Sequence, residues 1–355
     1  MQTIEVAIAE IDRQSTHAAT LWIEQGRRVP LLLGLWRSVG YSWQSYVVAG
    51  ECLRGFRGFM RAYLDGLGQL ITYAKYWERR TPHAAPSVPT VTTARVPARS
   101  VPLSVVIITK NEEARIAECL ASVMWAAEVV VVDDHSTDRT RDVAAHDGAR
   151  VLLRTMDIEG RHRNWAYAQA TQPWVLSLDA DERVTPALAE EIAAVIQNGD
   201  AGDGFDVPRR NYIGTRWVQH GGWYPAEQLK LFRHGAFHYE EMEIHPKSHF
   251  EGRHGRTLQY PLEHFSYRDF GDFLAKLNRQ TTLEAQKWLR EGRRVSVGKA
   301  AWRALDRGLR TYCGKGGYRD GFLGLMVATL ATCYQLVSFA KYHEAKRQTA
   351  GSTSP

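Results

Sequence analysis

The chain has 355 residues, 44% of them hydrophobic, enough for one large domain with appendages. Its net charge of +6 is a mild basic excess; no recognised nucleic-acid motif accompanies it, so nucleic acid is set aside and anionic lipid headgroups are the preferred partner of that charge. Cys52, Cys119, Cys313 and Cys333 show no metal or redox spacing and Met1 to Val6 carries no basic run, so a reducing cytosol is expected.

Residues 45–78 return at 311–344, without gaps and at an offset of 266. Tyr46, Gly50, Gly55, Phe56, Lys75, Tyr76 and Glu78 reappear as Tyr312, Gly316, Gly321, Phe322, Lys341, Tyr342 and Glu344. This is an internal duplication of a helical element. The organisation it suggests is a helical element at 1–80, an extended Pro-rich linker at 81–102, and an α/β domain at 103–275. A C-terminal amphipathic helical element at 276–347 and a disordered tail at 348–355 follow.

The linker gives way to a run of strands and helices. Leu103 to Ile108 and Val129 to Val132 are continuous β-branched runs, the signature of buried parallel strands, and Arg150 to Leu153 is a shorter one. Helical patterns fill Glu112 to Met124, Asp138 to Ala145 and Arg163 to Ala170, giving an alternating order that predicts a parallel sheet with right-handed crossovers. Trp174 to Leu178 ends in Asp179-Ala180-Asp181; strand alternation puts both carboxylates on one face, a hard-oxygen site for Mg²⁺ or Mn²⁺ at the carboxyl end of a sheet, where ligands bind. Asp133 and Asp134 end the preceding strand and suit a ribose hydroxyl or a base N–H, while Ser136 and Asp138 read as caps of the next helix. No Gly-x-Gly-x-x-Gly and no phosphate loop follows the first strand, so a bound diphosphate needs a cation.

In the last segment, Phe322 to Ala340 is uncharged and long enough to span a bilayer. Thr329, Thr332, Gln335 and Ser338, together with Arg61 and Asp65 in the first copy, argue against spanning. Phe322, Met326, Leu330, Cys333 and Val337 recur at helical spacing beside Arg303, Arg307, Arg310 and Lys346, which suits an amphipathic helix lying on an anionic membrane surface. The alternative is plain helical packing or a homo-oligomer contact.

Thr109 to Glu113, Val131 to Asp138, Arg163-Asn164-Trp165, Leu176 to Arg183, Gly221 to Pro225, Gln228 to Arg233 and His264 to Arg268 together carry a resemblance. Over roughly residues 100–345 the chain resembles family-2 glycosyltransferases with the GT-A fold, and in particular bacterial lipopolysaccharide-core β-glucosyltransferases. The resemblance implies a Rossmann-like, mostly parallel sheet flanked by helices, and inverting transfer from a nucleotide sugar, usually UDP-linked, with a divalent cation. It assigns Asp179 and Asp181 to the metal and diphosphate, and Thr109, Asn111, Glu112, Asp133, Asp134, Arg163 and Asp179 to the nucleotide sugar. The acceptor is expected to be lipid-linked or lipopolysaccharide core, met by a peripheral enzyme on the cytoplasmic face of the inner membrane.

Direct inversion needs a base on the sugar face opposite the leaving diphosphate, which the metal carboxylates cannot supply. Glu243 is the first choice and Glu241 the reserve; Glu227 is a third candidate, and His245 and His264 are candidate metal ligands. Family members often carry an acid where Pro246 and Ala226 stand here, which keeps open a non-catalytic nucleotide-sugar-binding scaffold. A sugar nucleotidyltransferase is expected to carry a Gly-rich basic loop after the first strand, which Lys110 to Glu113 does not supply, and a two-carboxylate glycosidase has no need of a metal pair.

Overall fold

The computed structural model describes residues 3–81, 101–241 and 247–351. Its elements begin with α1 (Ile4–Glu24), α2 (Leu31–Trp43) and α3 (Gly55–Arg80). Then come β1 (Val101–Thr109), α4 (Glu113–Ala121), β2 (Ala126–Asp133), α5 (Thr140–His146), β3 (Arg150–Leu153), α6 (Glu159–Ala168) and β4 (Trp174–Asp179). The middle continues with β5 (Glu182–Val184), α7 (Pro186–Asn198), β6 (Gly204–Val207), β7 (Arg209–Ile213), β8 (Arg216–Trp217) and β9 (Gln228–Arg233). The chain closes with β10 (Phe237–Tyr239), β11 (Ser248–Phe250), β12 (Leu262–Tyr267), α8 (Phe270–Arg290), α9 (Val297–Leu309) and α10 (Gly321–Gly351). Two compact units result: Ala85–Tyr212 with Trp223–Ser266, and Met1–Ala84 with Ile213–Gly222 and Tyr267–Pro355.

The first unit is built on a six-stranded sheet in the order β3-β2-β1-β4-β9-β6. Strands β1 to β4 are parallel, and β9 runs antiparallel to β4. Alternation along β1 sends Val105 and Ile107 to one core, with Ile116, Leu120 and Leu188, and Val106 to the other, with Ala166, Tyr167 and Phe232. Both faces are covered, which is why these strands read as unbroken apolar runs. The strand order reverses between β1 and β4, so the carboxyl ends of these strands flank a topological switch point. Register sets Thr109 beside Asp133 and Ile108 beside Asp179 at that edge.

The second unit holds both helical copies, and the repeat is longer than its sequence signal. Counterparts 266 residues apart recur from the first helix of each half. Lys75 Nζ donates to the Asp12 carbonyl (2.7 Å) and Thr16 Oγ1 (2.7 Å), as Lys341 Nζ does to the Asn278 carbonyl (2.5 Å) and Thr282 Oγ1 (2.7 Å). Tyr76 donates to the Arg27 carbonyl and Tyr342 to that of Arg293. Each half is therefore a three-helix module, α1–α3 and α8–α10, and the boundary expected at 275/276 falls inside α8.

The two modules also meet reciprocally. Phe270 N donates to Glu78, and Ile4 N to Glu344, each at 3.3 Å. Phe56 packs on Phe339 with ring centroids 5.1 Å apart, and Phe322 on Tyr73 at 5.2 Å. Contacts that exchange when the copies exchange define an approximate twofold within one chain.

Helix α10 corrects an expectation. By length and composition it could cross a membrane, yet 67% of its most apolar window is buried. Phe322, Met326, Leu330, Cys333 and Val337, expected on a membrane, are core residues of the helical unit. Helix periodicity reports that a face is buried, not what buries it. The helix continues to Gly351, into the stretch expected as a tail. Of the linker expected at 81–102, residues 101–102 belong to β1, while 82–100 and the last residues, 352–355, lie outside the described residues.

Candidate active site

The loops after β1 and β2 are stitched together. Asn111 takes a left-handed conformation (φ 54°); its N–H donates to Ser136 Oγ (2.8 Å) and its Oδ1 accepts from Thr137 N (2.8 Å). Glu112 N donates to Thr140 Oγ1 at 2.8 Å and Asp138 accepts from Thr140 N at 3.0 Å, but the N-cap of α5 is Arg139 and neither Ser136 nor Asp138, the expected caps, occupies that position. Asp133 is fully buried and accepts from Ser136 N (2.8 Å) and its hydroxyl. Asp134 accepts from Lys110 Nζ (2.7 Å) and Met156 N (2.9 Å). Burial pulls its pKa up, and the Lys110 hydrogen bond and Met156 N–H outweigh that, leaving it lowered. Both acids thus help to shape the rim. Beside them, Thr109 Oγ1 is buried without a hydrogen-bond partner among the described residues, a hydroxyl held ready at the sheet edge.

The acid pair is held differently from the expectation. Asp179 ends β4, but Ala180 and Asp181 form a turn before β5, so alternation along a strand does not place Asp181. The chain reverses because Asp179 N donates to the fully buried Glu182 Oε2 (2.9 Å), while the buried Arg183 guanidinium donates to the Ala180, Glu182 and Arg115 carbonyls. Basic side chains surround both carboxylates. Arg163 Nη2 lies 3.1 Å and Lys230 Nζ 3.6 Å from Asp179; Arg115 Nη1 and His264 Nε2 each lie 3.6 Å from Asp181. Burial raises the Asp179 pKa, but Arg163, Lys230 and His264 overcome this and hold it well below the usual carboxylate range. Lys230, itself buried, is anchored to Glu182 Oε2 at 2.7 Å.

His264 arrives through pairing of β12 with β5, which sets it opposite Glu182. Its Nδ1 is 2.7 Å from Asn211 Oδ1, and Asn211 Nδ2 donates to the Trp223 carbonyl. A carbonyl oxygen only accepts, which fixes the amide, so Nδ1 carries the proton towards Asn211. Nε2 faces Asp181, the orientation used by metal-bound histidines.

Around this centre, Asn164 is bonded to both backbone groups of Tyr239, at 2.8 Å each, tying α6 to β10. Arg161 pairs with Glu241 at 2.9 Å, so the reserve base has a guanidinium partner. Glu227 is exposed. Glu243, His245 and Pro246 lie outside the described residues. Glu182, Lys230 and Asn211 carry no role that is legible from the sequence alone. A lone Lys within the apolar strand Leu229 to Phe232 was the available signal for Lys230; nothing comparable marks Asn211.

The sequence profile of Glycosyl transferase family 2 matches residues 104–260. The lipopolysaccharide core biosynthesis glycosyltransferase LpsC of Rhizobium meliloti (strain 1021) is 30% identical over 249 residues, spanning 68% of this chain and 92% of LpsC. The chain belongs to glycosyltransferase family 2. Its α/β unit has that family's GT-A fold, the N- and C-terminal regions of the chain are helical, and it is a glycosyltransferase resembling those of lipopolysaccharide core synthesis. Among solved structures, Staphylococcus aureus TarS 1–349 in complex with UDP is 17% identical with a TM-score of 0.36, over 70% of this chain and 91% of that one. Mycobacterium tuberculosis glucosyl-3-phosphoglycerate synthase with Mn²⁺, UDP and glucosyl-3-phosphoglycerate is 21% identical with a TM-score of 0.26, over 37% and 51%.

Proposed function

We propose that this glycosyltransferase moves a sugar, with inversion, from a UDP-linked donor, glucose first among the candidates, to a lipid-linked or lipopolysaccharide-core acceptor in cell-envelope glycan synthesis. The observation that carries the reading is the acid pair at the carboxyl edge of the sheet, with Asp179 held ionised, ringed by Arg163, Lys230, Arg115 and His264. The similarity to LpsC supports the acceptor class.

Asp179 and Asp181 are hard-oxygen donors fit for Mg²⁺ or Mn²⁺, with His264 Nε2 in reserve. Among the described residues no group of three His, Cys, Asp or Glu side chains forms a closed metal site. Such a site suits a cation that draws its remaining ligands from substrate phosphate and water, as Mg²⁺ commonly does. When bound, the cation neutralises charge on the departing diphosphate. The chain's own residues do the rest. Arg163 keeps Asp179 ionised and aimed; Glu182 and Arg183 fix the turn; Thr109 offers its hydroxyl to the nucleotide. Glu243 takes the acceptor proton, with Glu241 as the reserve.

A panel of nucleotide sugars, assayed for donor hydrolysis and transfer with and without Mn²⁺, tests this reading. One UDP-sugar should be turned over in a metal-dependent way, and Glu243→Gln should lose transfer while retaining UDP binding. Binding of UDP-sugars without turnover of any would favour the scaffold reading.

A further inference from the structure

The helical unit has two helices turned inside out for water. Helix α9 buries Ala300 and Ala304 and exposes Val297, Trp302, Leu305 and Leu309. Helix α2 buries Gly34 and exposes Leu31, Trp36, Val39 and Trp43. A helix whose buried residues are all small and whose tryptophans are exposed does not owe its sequence to packing within the chain. The two faces are also copies. Leu31, Trp36, Val39 and Trp43 correspond, at the offset of 266, to Val297, Trp302, Leu305 and Leu309. Trp36 is 73% exposed and Trp302 67%, so a large aromatic stands in the open at the same place twice.

Charge identifies the occupant. The segments forming the helical unit carry 27 Lys and Arg against 14 Asp and Glu, whereas the rest of the chain carries 18 against 25. The basic excess of the whole chain therefore belongs to the helical unit. Part of it lies on or beside the two exposed faces: Arg27 and Arg28 precede α2, and Lys299, Arg303 and Arg307 lie along α9. Exposed tryptophan and leucine flanked by arginine match an anionic lipid interface, where the apolar side chains enter the acyl boundary and the cations meet headgroups. Two faces related by an approximate twofold can rest on one flat surface when the axis stands along its normal.

We propose that α2 and α9 are a paired docking surface for an anionic lipid bilayer, held by the duplicated modules so that both seat on the same membrane. This replaces α10, whose apolar stripe is spent on packing, as the membrane-facing element. Duplication then gives the chain two footholds, each of which raises the effective concentration of the other at the surface. The proposal does not depend on which sugar is transferred.

The test is co-sedimentation of the full chain with phosphatidylglycerol–phosphatidylethanolamine vesicles, against phosphatidylcholine vesicles, for wild type, Trp36→Ala, Trp302→Ala and the double variant. Wild type should pellet with the anionic vesicles and release as salt rises. Each single substitution should weaken partitioning by roughly tenfold and the pair by roughly a hundredfold. Arg303→Glu with Arg307→Glu should weaken it at least ~10-fold at low salt. All these side chains are exposed, so circular dichroism should remain that of the wild type. Wild type left in the supernatant with anionic vesicles, or a double variant that pellets equally well, overturns the proposal. So does a solution dimer, seen by light scattering, that the double tryptophan variant dissolves, because a second copy would then cover the face.

Discussion

Glu182→Gln probes the support beneath the acid pair. Glu182 is fully buried, and its Oε2 accepts from Asp179 N at 2.9 Å and from Lys230 Nζ at 2.7 Å. The substitution keeps the shape and removes the charge, leaving the buried Lys230 with Asp179 Oδ2, 3.6 Å away, as its nearest carboxylate. Removing one partner of a buried pair costs about 3–5 kcal/mol. Asp179 can take over part of the role, so the low end applies, about 3 kcal/mol. In a domain of this size that lowers Tm by roughly 6–12 °C. Lys230 would also be drawn onto Asp179, where it competes with a metal, so metal-dependent turnover should fall about 10–100-fold. Thermal unfolding, together with donor turnover titrated with Mn²⁺, reads both effects. The double variant Glu182→Gln/Lys230→Met removes the lone buried ammonium, although Arg209 Nη1, 3.7 Å from Glu182 Oε1, still loses its carboxylate; it should regain part of the lost Tm without regaining turnover. If Glu182→Gln keeps its Tm within about 2 °C of wild type and an unchanged Mn²⁺ dependence, the account of this support is wrong.

Other expectations follow from the same geometry. A Cβ on Gly58 would stand 1.8 Å from the Glu51 carbonyl oxygen, and one on Gly324 1.8 Å from that of Gly317. Gly58→Ala and Gly324→Ala should therefore each lower stability in denaturant unfolding by about 1–3 kcal/mol or more, and by similar amounts. Burial raises the Glu78 pKa from 4.5 to about 7. The native state thus holds this proton more tightly than the unfolded state, and the stability it contributes is full below about pH 4.5 and lost as pH rises through about 7. Gln in its place can still accept from Phe270 N, so Glu78→Gln should raise Tm at pH 8 and change it little at pH 4. Arg163→Met removes the largest influence holding the Asp179 pKa down, so the acid limb of the pH–activity profile should move to higher pH.

Much of the site was legible because its residues sit at strand ends. The runs around Val105, Val131 and Leu176 gave the parallel strands, since burial on both faces leaves no room for polar alternation. Asp179 followed from its position at the end of β4. Asp181 was placed by the wrong argument: the turn that sets it depends on Glu182 and Arg183 bonding back to the backbone, which periodicity does not encode. Asn211 reaches His264 from 53 residues away, through β7 lying beside β12, a pairing that only the folded sheet creates. The duplication was visible where identities are dense and missed in α1 and α8, where equivalence survives as shared hydrogen bonds, with Asp12 standing for Asn278. The apolar stripe of α10 was read correctly as a stripe and assigned to the wrong medium, because lipid and protein interior demand the same spacing.

The central claim is that a divalent cation held by Asp179 and Asp181 carries the nucleotide diphosphate while the sugar is transferred. It is tested most directly by donor turnover of wild type, Asp179→Asn and Asp181→Asn, each measured in Mn²⁺ and in excess chelator. The account predicts that chelator abolishes wild-type turnover, that Mn²⁺ restores it, and that each Asn variant stays depressed at any Mn²⁺ concentration. Full turnover in chelator, or undiminished turnover when both aspartates are replaced, would contradict it.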